Sequence, residues 1–590
     1  MDAPGPKPSK FEGLKLASDY LRGSLAADFA DPSDHIAEDA GVLLKFHGSY
    51  QQDDRDLRTP RKRQGLDKAY SFMVRVRMPG GKMTAEQYLA TDALAREQGN
   101  GTLRITTRQE FQLHGVLKHD MKAVVRRVNE VLLSTLAACG DVSRNVLCCP
   151  APLTDGIRAA MQADCDALAS HLAPRSTSYW DIWLDGEKIA NPLLPEPGPS
   201  LAPSTDDPVE PIYGKTYLPR KFKAAFALPE DNCTDIHAND LGYLAIVEGG
   251  SLVGYNVLVG GGLGTTPSAG KTFPALSVPL GYVPRADVTA VGEAVVKAYR
   301  DLGDRSDRKR ARLKYVIHDL GIAAFRARVE SILGRALEEP RDVGVTEVDD
   351  HLGWREQGDG KLSLGLNVEN GRIKDVDAFR LATGLRSFFS TYNTPARLTC
   401  QQSILLADIE PSAQADIDTL LREHGIKPVE SISTVRRWSM ACPALPTCGL
   451  AVTEAERALP GLIDELETSL ADLGLADERL TVRMTGCPNG CARPYNADIG
   501  LVGRSATKRD DGTPGPGTYT IFLGGRAIGD RLNAIYKDYV PYGEVVSTLE
   551  PVFEQFRAER RGVESFGEFC HRLGVATGGI GSGTVVPADA

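Results

Sequence analysis

Residues 441–448 (ACPALPTC) and residues 485–494 (TGCPNGCARP) contain the four cysteines around which the chain is organised. We call these stretches the first clip and the second clip. Four thiolates in short turns interrupted by proline and glycine suit a cubane iron–sulfur cluster, because such turns leave backbone amides free to point at sulfur. A structural zinc ion also binds four thiolates. Zinc sites usually separate paired cysteines by two to four residues, so the five-residue gap in the first clip favours the cluster and leaves zinc as the alternative.

The composition is typical of a large globular enzyme. The 590 residues predict about four domains or lobes, and the chain is 42% hydrophobic and 25% charged. A net charge of −10 makes nucleic acid a poor partner. The N-terminus lacks a signal-peptide pattern, and no apolar run is long enough to span a membrane. Because eleven scattered cysteines also favour a reducing compartment, we expect a cytoplasmic protein.

Polar side chains are concentrated on two predicted strands in the first half of the chain. Residues 71–78 alternate in polarity and place Arg75 and Arg77 on one face. Residues 101–115 are predicted to form a second strand with five polar side chains on one face: Arg104, Thr106, Arg108, Gln112 and His114. So many hydrogen-bonding groups are costly to bury dry. We therefore expect a polyanion to lie against this face.

The second half of the chain repeats the first. Residues 80–83 resemble 370–373, and residues 103–109 resemble 396–402. A further match aligns residues 221–262 with 483–525, which pairs Lys221 with Arg483. The clips occur only in the second copy, whereas the polar strand face is stronger in the first. We therefore predict a pseudo-twofold molecule whose two copies build one central site.

Several other motifs have plainer interpretations. The segment 260–272 resembles a phosphate-binding loop, but a required glycine is replaced by Thr265, and no convincing dinucleotide fingerprint occurs. If the protein is an oxidoreductase, a partner protein must therefore supply its electrons. The basic run 55–63 is interpreted as a solvated face. Cys148 and Cys149 have no nearby partner clip and are interpreted as small buried residues.

The two clips, together with residues 106–115, 144–148 and 220–223, resemble the sirohaem and [4Fe–4S] sulfite/nitrite reductase family. The resemblance covers about residues 44–574 and is greatest to the haemoprotein (beta) subunits of assimilatory sulfite reductases within that family. It implies an α+β, pseudo-twofold, internally repeated fold. Three lobes of mixed sheets flanked by helices would surround a central cofactor site.

The resemblance also implies roles for individual residues. The cluster ligands would be Cys442, Cys448, Cys487 and Cys491. Cys491 would in addition bridge to the sirohaem iron. The cations that bind the substrate would be Arg75, Arg144, Lys221 and Lys223. The contacts to the sirohaem carboxylates would be made by Arg104, Thr106, Arg108 and Gln112.

The implied reaction is the six-electron reduction of sulfite to sulfide. Nitrite enzymes of the family commonly carry asparagine where this chain has Lys223, which favours sulfite. A ferredoxin-dependent nitrite reductase is the alternative, and an electron carrier with only a cluster is a further one. The electron donor would be an NADPH-oxidising flavoprotein subunit or a ferredoxin.

The sequence divides into six predicted segments. They are an N-terminal extension (1–68), a first ferredoxin-like half (69–137), a first sirohaem and substrate domain (138–340), a second ferredoxin-like half (341–412), a cluster-binding domain (413–577) and a flexible tail (578–590).

Overall fold

The structure is a computed structural model that describes residues 7–187, 207–266, 269–508 and 515–576. The tail predicted at 578–590 lies outside the described residues. The chain forms two compact units. The first unit is drawn from Met1–Gln52, Tyr70–Gly260 and Ser277–Val429, and the second unit from Asp53–Ala69, Gly261–Leu276 and Glu430–Ala590.

The α-helices are distributed over both units. In chain order they are α1 (Lys10–Ala17), α2 (Leu25–Ala30), α3 (Glu38–Leu44), α4 (Arg58–Arg63), α5 (Ala85–Glu97), α6 (Met121–Glu130), α7 (Gly156–His171), α8 (Ser178–Trp183), α9 (Val288–Leu302), α10 (Leu313–Leu320), α11 (Ile322–Leu333), α12 (Leu381–Tyr392), α13 (Gln414–Glu423), α14 (Thr434–Arg437), α15 (Leu459–Asp472), α16 (Val545–Glu559) and α17 (Phe566–Leu573). None of those in the described part of the chain has both the length and the apolarity that crossing a bilayer requires.

Within the described ranges, the strands form four five-stranded sheets and one short two-stranded ribbon. In chain order they are β1 (Ser49–Asp53), β2 (Tyr70–Val76), β3 (Lys82–Met83), β4 (Leu103–Ile105), β5 (Phe111–Val116), β6 (Ser143–Leu147), β7 (Phe222–Ala227), β8 (Leu241–Glu248), β9 (Ser251–Val259), β10 (Val278–Pro284), β11 (Gly353–Glu356), β12 (Leu362–Leu366), β13 (Arg372–Ile373), β14 (Asp375–Val376), β15 (Phe379–Arg380), β16 (Ala396–Leu398), β17 (Ile404–Ile409), β18 (Ser439–Ala441), β19 (Val482–Thr485), β20 (Ile499–Ser505), β21 (Thr518–Leu523) and β22 (Ala534–Pro541).

Two sheets of the first unit exchange a strand. One sheet has the order β1-β2-β5-β4-β13, and the other has the order β11-β12-β17-β16-β3. Thus β3 of the first repeat pairs with β16 of the second, and β13 of the second repeat pairs with β4 of the first. The helices α5 and α12 also meet, through Tyr88 and Phe389 stacked with ring centroids 4.2 Å apart. The pseudo-twofold repeat predicted from sequence is confirmed.

The second polar stretch, residues 101–115, is a hairpin rather than the single strand predicted. Residues 106–110 reverse the chain between β4 and β5. The side chain of Thr106 accepts hydrogen bonds from two backbone amides of this turn, at 3.1 and 3.3 Å, and so competes with the strand ladder. Gln109 adopts the left-handed conformation, with φ of 55°. The local side-chain bonds and this residue end the extended run.

The other two sheets share one topology, with one in each unit. The orders are β6-β7-β8-β9-β10 and β18-β19-β20-β21-β22, and in each the first three strands are parallel and the last two antiparallel. The backbone amides of Lys223 and Thr481 make equivalent 3.0 Å hydrogen bonds to Asp240 and Asp498. Lys223 therefore corresponds to Thr481. The predicted pairing of Lys221 with Arg483 is wrong by four residues.

The second unit packs two helices against its sheet. Leu462 and Leu466 of α15 and Phe553 of α16 lie in one buried cluster with Val482 and Ile499 of the central strands. This apolar core holds the ends of β18 and β19 in place. The two clips begin at those ends.

Candidate active site

A row of polar side chains crosses the first sheet of the first unit. Gln112 on β5 is paired in register with Arg75 on β2 on one side and with Arg104 on β4 on the other. Arg104 is in turn paired with Arg372 on β13. Cross-strand partners lie on the same face of a sheet. The hairpin thus brings together three predicted site residues and adds Arg372, which the sequence did not single out.

Gln112 links the guanidinium of Arg75 to a buried histidine. Its amide oxygen accepts from Arg75 Nη2 at 2.5 Å and from Nε at 3.2 Å once the amide is oriented to suit its neighbours. Its amide nitrogen then lies against His114 Nε2, at 3.3 Å. Burial, with the neighbouring arginines, lowers the pKa of His114 well below its ordinary value. His114 is therefore neutral and adds no charge to the row.

The turn between β4 and β5 carries a second buried guanidinium. Arg108 Nη1 donates to Asn239 Oδ1 at 3.2 Å, and Nη2 donates to the carbonyl of Asn145. Arg108 Nε has no hydrogen-bond partner although it is buried. Burial lowers the pKa of Arg108 to about 10, so the group still carries its charge near neutral pH.

One carboxylate lies among these cations. Glu110 is fully buried, and neither of its side-chain oxygens has a hydrogen-bond partner. Its Oε2 lies 3.8 Å from Arg75 Nε. Burial raises the pKa of Glu110 to about 7, against the opposing influence of Arg75, Arg108 and Arg144. Glu110 was not predicted as a site residue, although it lies between Arg108 and Gln112 in the stretch that was predicted to form the polar strand.

The remaining predicted cations lie at the ends of β6 and β7. Arg144 is buried on β6 and donates to the carbonyl of Gly140 from Nε and Nη2, both at 3.1 Å. Lys221 and Lys223 flank the first residue of β7 and are half-buried. The two lysines are two residues apart on an extended backbone, and side chains at that spacing share a face.

A lysine that the sequence analysis missed lies near this group. Lys314, on α10, is 2% exposed. Burial lowers its pKa well below the ordinary value, and the charges of Arg312 and Lys221 act in the same direction. A buried amine of this kind can hold or release a proton near neutral pH. No local pattern around residue 314 indicates this, because the burial is set by distant segments.

The first unit therefore fits a ligand with several carboxylates. Arg75, Arg104, Arg108 and Arg144 are buried or nearly so, with Glu110 as the acid among them. Arg108 keeps an unused donor atom in this environment. Guanidinium groups bind carboxylates through charge-assisted hydrogen bonds. This surplus of buried positive charge is the environment that sirohaem, with its many carboxylates, needs.

A backbone amide of the second clip donates to a sulfur atom of the first clip. Cys442 follows β18, and its Sγ accepts from the amide of Gly486 at 3.4 Å. The carbonyl of Cys448 accepts from the amide of Ala451 at 3.2 Å, which closes the turn at the end of the first clip. Burial raises the pKa of both thiols, so a metal must displace their protons to bind.

The second clip follows β19 in the same unit. Cys487 Sγ accepts from the side-chain amide of Asn489 at 3.5 Å. Burial, followed by the neighbouring Cys491, raises the pKa of Cys487 to about 12. Cys491 is the most exposed of the four thiols and also acts on the pKa of Cys442. The second unit thus brings all four predicted ligands together.

A glycine-containing segment of the second unit packs against the second clip. The amide of Thr265 donates to the carbonyl of Pro488 at 2.9 Å, and the hydroxyl groups of Thr265 and Tyr495 lie 3.3 Å apart. A Cβ placed on Gly264 would lie 2.8 Å from the carbonyl oxygen of Asn489. The segment that resembled a phosphate-binding loop therefore supports a cysteine turn.

In the described residues, no three clip cysteines bring their sulfur atoms within 4.8 Å of one another. Four thiolates on one zinc ion would lie about 3.8 Å apart. In the described ranges one group of side chains brings its ligand atoms within 4.8 Å of one another, and it contains no clip cysteine. The four thiols together with inward-pointing amides fit a [4Fe–4S] cluster.

Comparison with models of known protein families shows which family the chain belongs to. The family model described as "Nitrite and sulphite reductase 4Fe-4S domain" matches residues 166–337 and 434–577, and that described as "Nitrite/Sulfite reductase ferredoxin-like half domain" matches residues 63–131 and 355–424. The chain belongs to the nitrite and sulphite reductase family. The resemblance and the α+β fold with repeated halves, both predicted from sequence, are confirmed.

Relatives within the nitrite and sulphite reductase family cover almost the whole chain. "Sulfite reductase [ferredoxin]" of Synechococcus elongatus is 46% identical over 96% of this chain and 90% of its own length. "Sulfite reductase [NADPH] hemoprotein beta-component" of Myxococcus xanthus is also 46% identical, over 96% of this chain and 97% of its own length. The solved structure of the Mycobacterium tuberculosis NirA protein aligns with a TM-score of 0.72 and 26% identity, and covers 96% of this chain and 97% of that one.

Proposed function

We propose that this member of the nitrite and sulphite reductase family is an assimilatory sulfite reductase haemoprotein. It reduces sulfite to sulfide with six electrons, and its cofactors are sirohaem and a [4Fe–4S] cluster. The observation that carries the proposal is the buried set of arginines on the first unit, in a chain that also holds four cysteines in two clips. A cluster-only carrier would leave those cations without a use.

The cofactor contacts are assigned from the side chains described above. Arg104, Arg108, Thr106 and Gln112 bind carboxylates of the sirohaem, the arginines by charge-assisted hydrogen bonds. Cys442, Cys448, Cys487 and Cys491 would hold the cluster, and Cys491 would be the ligand through which electrons pass to the sirohaem. When bound, the sirohaem supplies an open iron position for the sulfur of sulfite, and the cluster supplies electrons one at a time.

The substrate cations carry the proton chemistry. Arg75 and Arg144 hold the oxygens of sulfite, and their guanidinium groups stay charged throughout. Lys221 and Lys223 donate protons to those oxygens, directly or through water, so that each S–O bond breaks with loss of water. Sulfite, six electrons and seven protons thus give hydrosulfide and three waters. Lys314 is a further candidate proton donor, because burial lowers its pKa and so favours release of its proton.

The electron donor is a separate protein, and we propose a flavoprotein reductase subunit, with ferredoxin as the alternative. Helix α4 is the suggested docking surface. It carries Arg61, Lys62 and Arg63 in its last turn and buries none of its side chains. Just before it, Arg55 Nη1 donates to the carbonyls of Cys448 and Ala451 in and beside the first clip. A donor with an acidic surface would be attracted to this helix.

Location follows from the same chemistry. Cluster thiolates need a compartment that does not oxidise them, and none of the eleven cysteines, all of which the structure describes, forms a disulfide. We propose that the enzyme acts in the cytoplasm.

A substrate and donor comparison tests the proposal. The purified holoenzyme is assayed with sulfite and with nitrite, each with reduced ferredoxin and with an NADPH flavoprotein. Sulfide formation should show the higher kcat/KM. A kcat/KM for ammonia formation that exceeds it would identify a nitrite reductase instead. A double charge reversal on α4, Lys62→Glu with Arg63→Glu, should raise the KM for the true donor, whereas Lys374→Glu, at an exposed position of the first unit, should not.

A further inference from the structure

A second group of metal-ligating side chains lies in the first unit, and none of its members has a role above. Each offers one ligand atom, all of these atoms lie within 4.8 Å of one another, and all four side chains are buried: Cys149, Asp231, Cys233 and His351. Two thiols, one imidazole and one carboxylate are a ligand set that zinc accepts. Cys149 is buried, as predicted from the sequence, but it also belongs to this group of ligating side chains.

The fold brings these ligands to one sheet edge. Cys149 lies two residues after β6, and Asp231 and Cys233 lie in the turn after β7. Strands β6 and β7 are parallel neighbours, so their carboxyl ends meet. His351 comes from residues 341–352, which contain no helix or strand. This segment is bonded to the same turn, since the amide of Thr346 donates to the carbonyl of Pro229 at 2.7 Å.

The distances suit a tetrahedral ion. Cys149 Sγ lies 2.9 Å from Asp231 Oδ2 and 3.9 Å from His351 Nε2, and the last two atoms are 3.1 Å apart. Bond lengths typical of zinc to sulfur, nitrogen and oxygen place the corners of such a tetrahedron about 3.3–3.8 Å apart. Small side-chain movements would bring the four atoms to that spacing.

The surroundings orient the ligands as they do in known metal sites. Asp231 Oδ1 accepts from the amides of Cys233, at 3.2 Å, and Asp349, at 3.3 Å, which leaves Oδ2 facing inward. The Asp349 carboxylate lies 3.7 Å from His351 Nδ1, the ring nitrogen that faces away from the group. A carboxylate on the second ring nitrogen is the usual partner of a ligating histidine.

The ligands would more than offset the charge of a divalent ion, because two thiolates and one carboxylate around such an ion leave one negative charge. Arg158, which is ion-paired with Asp155 at 2.7 Å, is near enough to Cys149 for their charges to interact. His351 has a φ of 58°, a left-handed conformation that costs energy for a residue with a Cβ.

We propose that Cys149, Asp231, Cys233 and His351 bind a structural zinc ion that fastens residues 341–352 to the ends of β6 and β7. The ion would be additional to the iron of the two cofactors and independent of sulfite turnover.

Elemental analysis of the holoenzyme, dialysed against metal-free buffer, tests this proposal. We expect one zinc per chain beside the iron of the sirohaem and the cluster. Cys233→Ser and His351→Gln should each lower zinc at least tenfold. Cys165→Ser, which alters another buried thiol of the first unit, should retain it. Absence of zinc from the wild type, or full zinc in both ligand variants, would overturn the assignment.

A measurement on the unaltered protein guards against variants that do not fold. Zinc-edge X-ray absorption should show a mixed shell of two sulfurs, at about 2.3 Å, and two lighter atoms. A shell of four sulfurs would put the zinc in the clips, and a shell without sulfur would mean a surface ion. Either result would contradict the site.

Discussion

Glu110→Gln is the substitution whose effect on stability follows most directly from the structure. The carboxyl is fully buried, with a pKa raised by burial to about 7 from an ordinary 4.5. A group with a higher pKa in the folded state binds its proton more tightly there. Its contribution to stability is therefore greatest below pH 4.5 and is lost as the pH rises through 7. Glutamine keeps the shape and removes this dependence.

The size of the effect can be worked out from the shift. A displacement of 2.5 pKa units corresponds to about 3 kcal/mol in the free energy of unfolding over the full titration. Between pH 5.5 and 8, the linkage relation gives a change of about 2 kcal/mol in the free energy of unfolding. The wild type should lose that much stability relative to the Glu110→Gln variant across this range, because the carboxylate of the wild type becomes charged in a buried position.

Urea denaturation of both holoenzymes at several pH values measures the difference. The matched control is Glu564→Gln, since a hydrogen bond from Arg572 lowers the pKa of Glu564 to about 2, below the measured range. Its difference from wild type should not vary with pH. A flat difference for Glu110→Gln, or one of opposite slope, would refute the reasoning about burial.

Three further substitutions test the site. Lys223→Met should lower sulfite turnover at least ~100-fold with sirohaem and iron content unchanged, because a proton donor is lost; full activity would contradict its role. Gly264→Ala should destabilise the protein by about 1–3 kcal/mol and lower cluster iron, because the new methyl would lie 2.8 Å from the carbonyl oxygen of Asn489. The control is Gly270→Ala, whose methyl would meet nothing within 4 Å. Equal cluster content in both variants would show that Gly264 does not support the second clip. Cys491→Ser should abolish turnover, and a variant with normal spectra and activity would exclude the bridge.

Features with short-range signals were predictable from the sequence. The repeat was visible because equivalent turns keep equivalent residues, as at Gln109 and Gln402, which both have positive φ. Helix α5 also begins at a local signal, since Thr84 caps it with a hydrogen bond from the amide of Gln87. The four cysteines were found for the same reason, since each clip is a local motif.

Features that depend on particular side-chain bonds or on contacts distant in sequence were not predictable. The hairpin at residues 106–110 depends on side-chain bonds inside the turn, which alternation of polarity does not reveal. The alignment of β7 with β19, its counterpart in the repeat, depends on the hydrogen bond from the amide of Lys223 to Asp240, which residue spacing does not reveal. Cys149 meets His351 across 202 residues of chain, so it seemed isolated in sequence. Burial of Glu110 likewise results from tertiary packing.

The six-electron reduction of sulfite to sulfide is the central property proposed for this protein. Counting electrons against sulfide tests it directly. The holoenzyme is given a measured amount of a reduced one-electron dye and excess sulfite, and the sulfide formed is quantified. We predict six dye molecules oxidised per sulfide. A ratio well below six, with partly reduced sulfur released, or oxidation of the dye without sulfide, would contradict the proposed function.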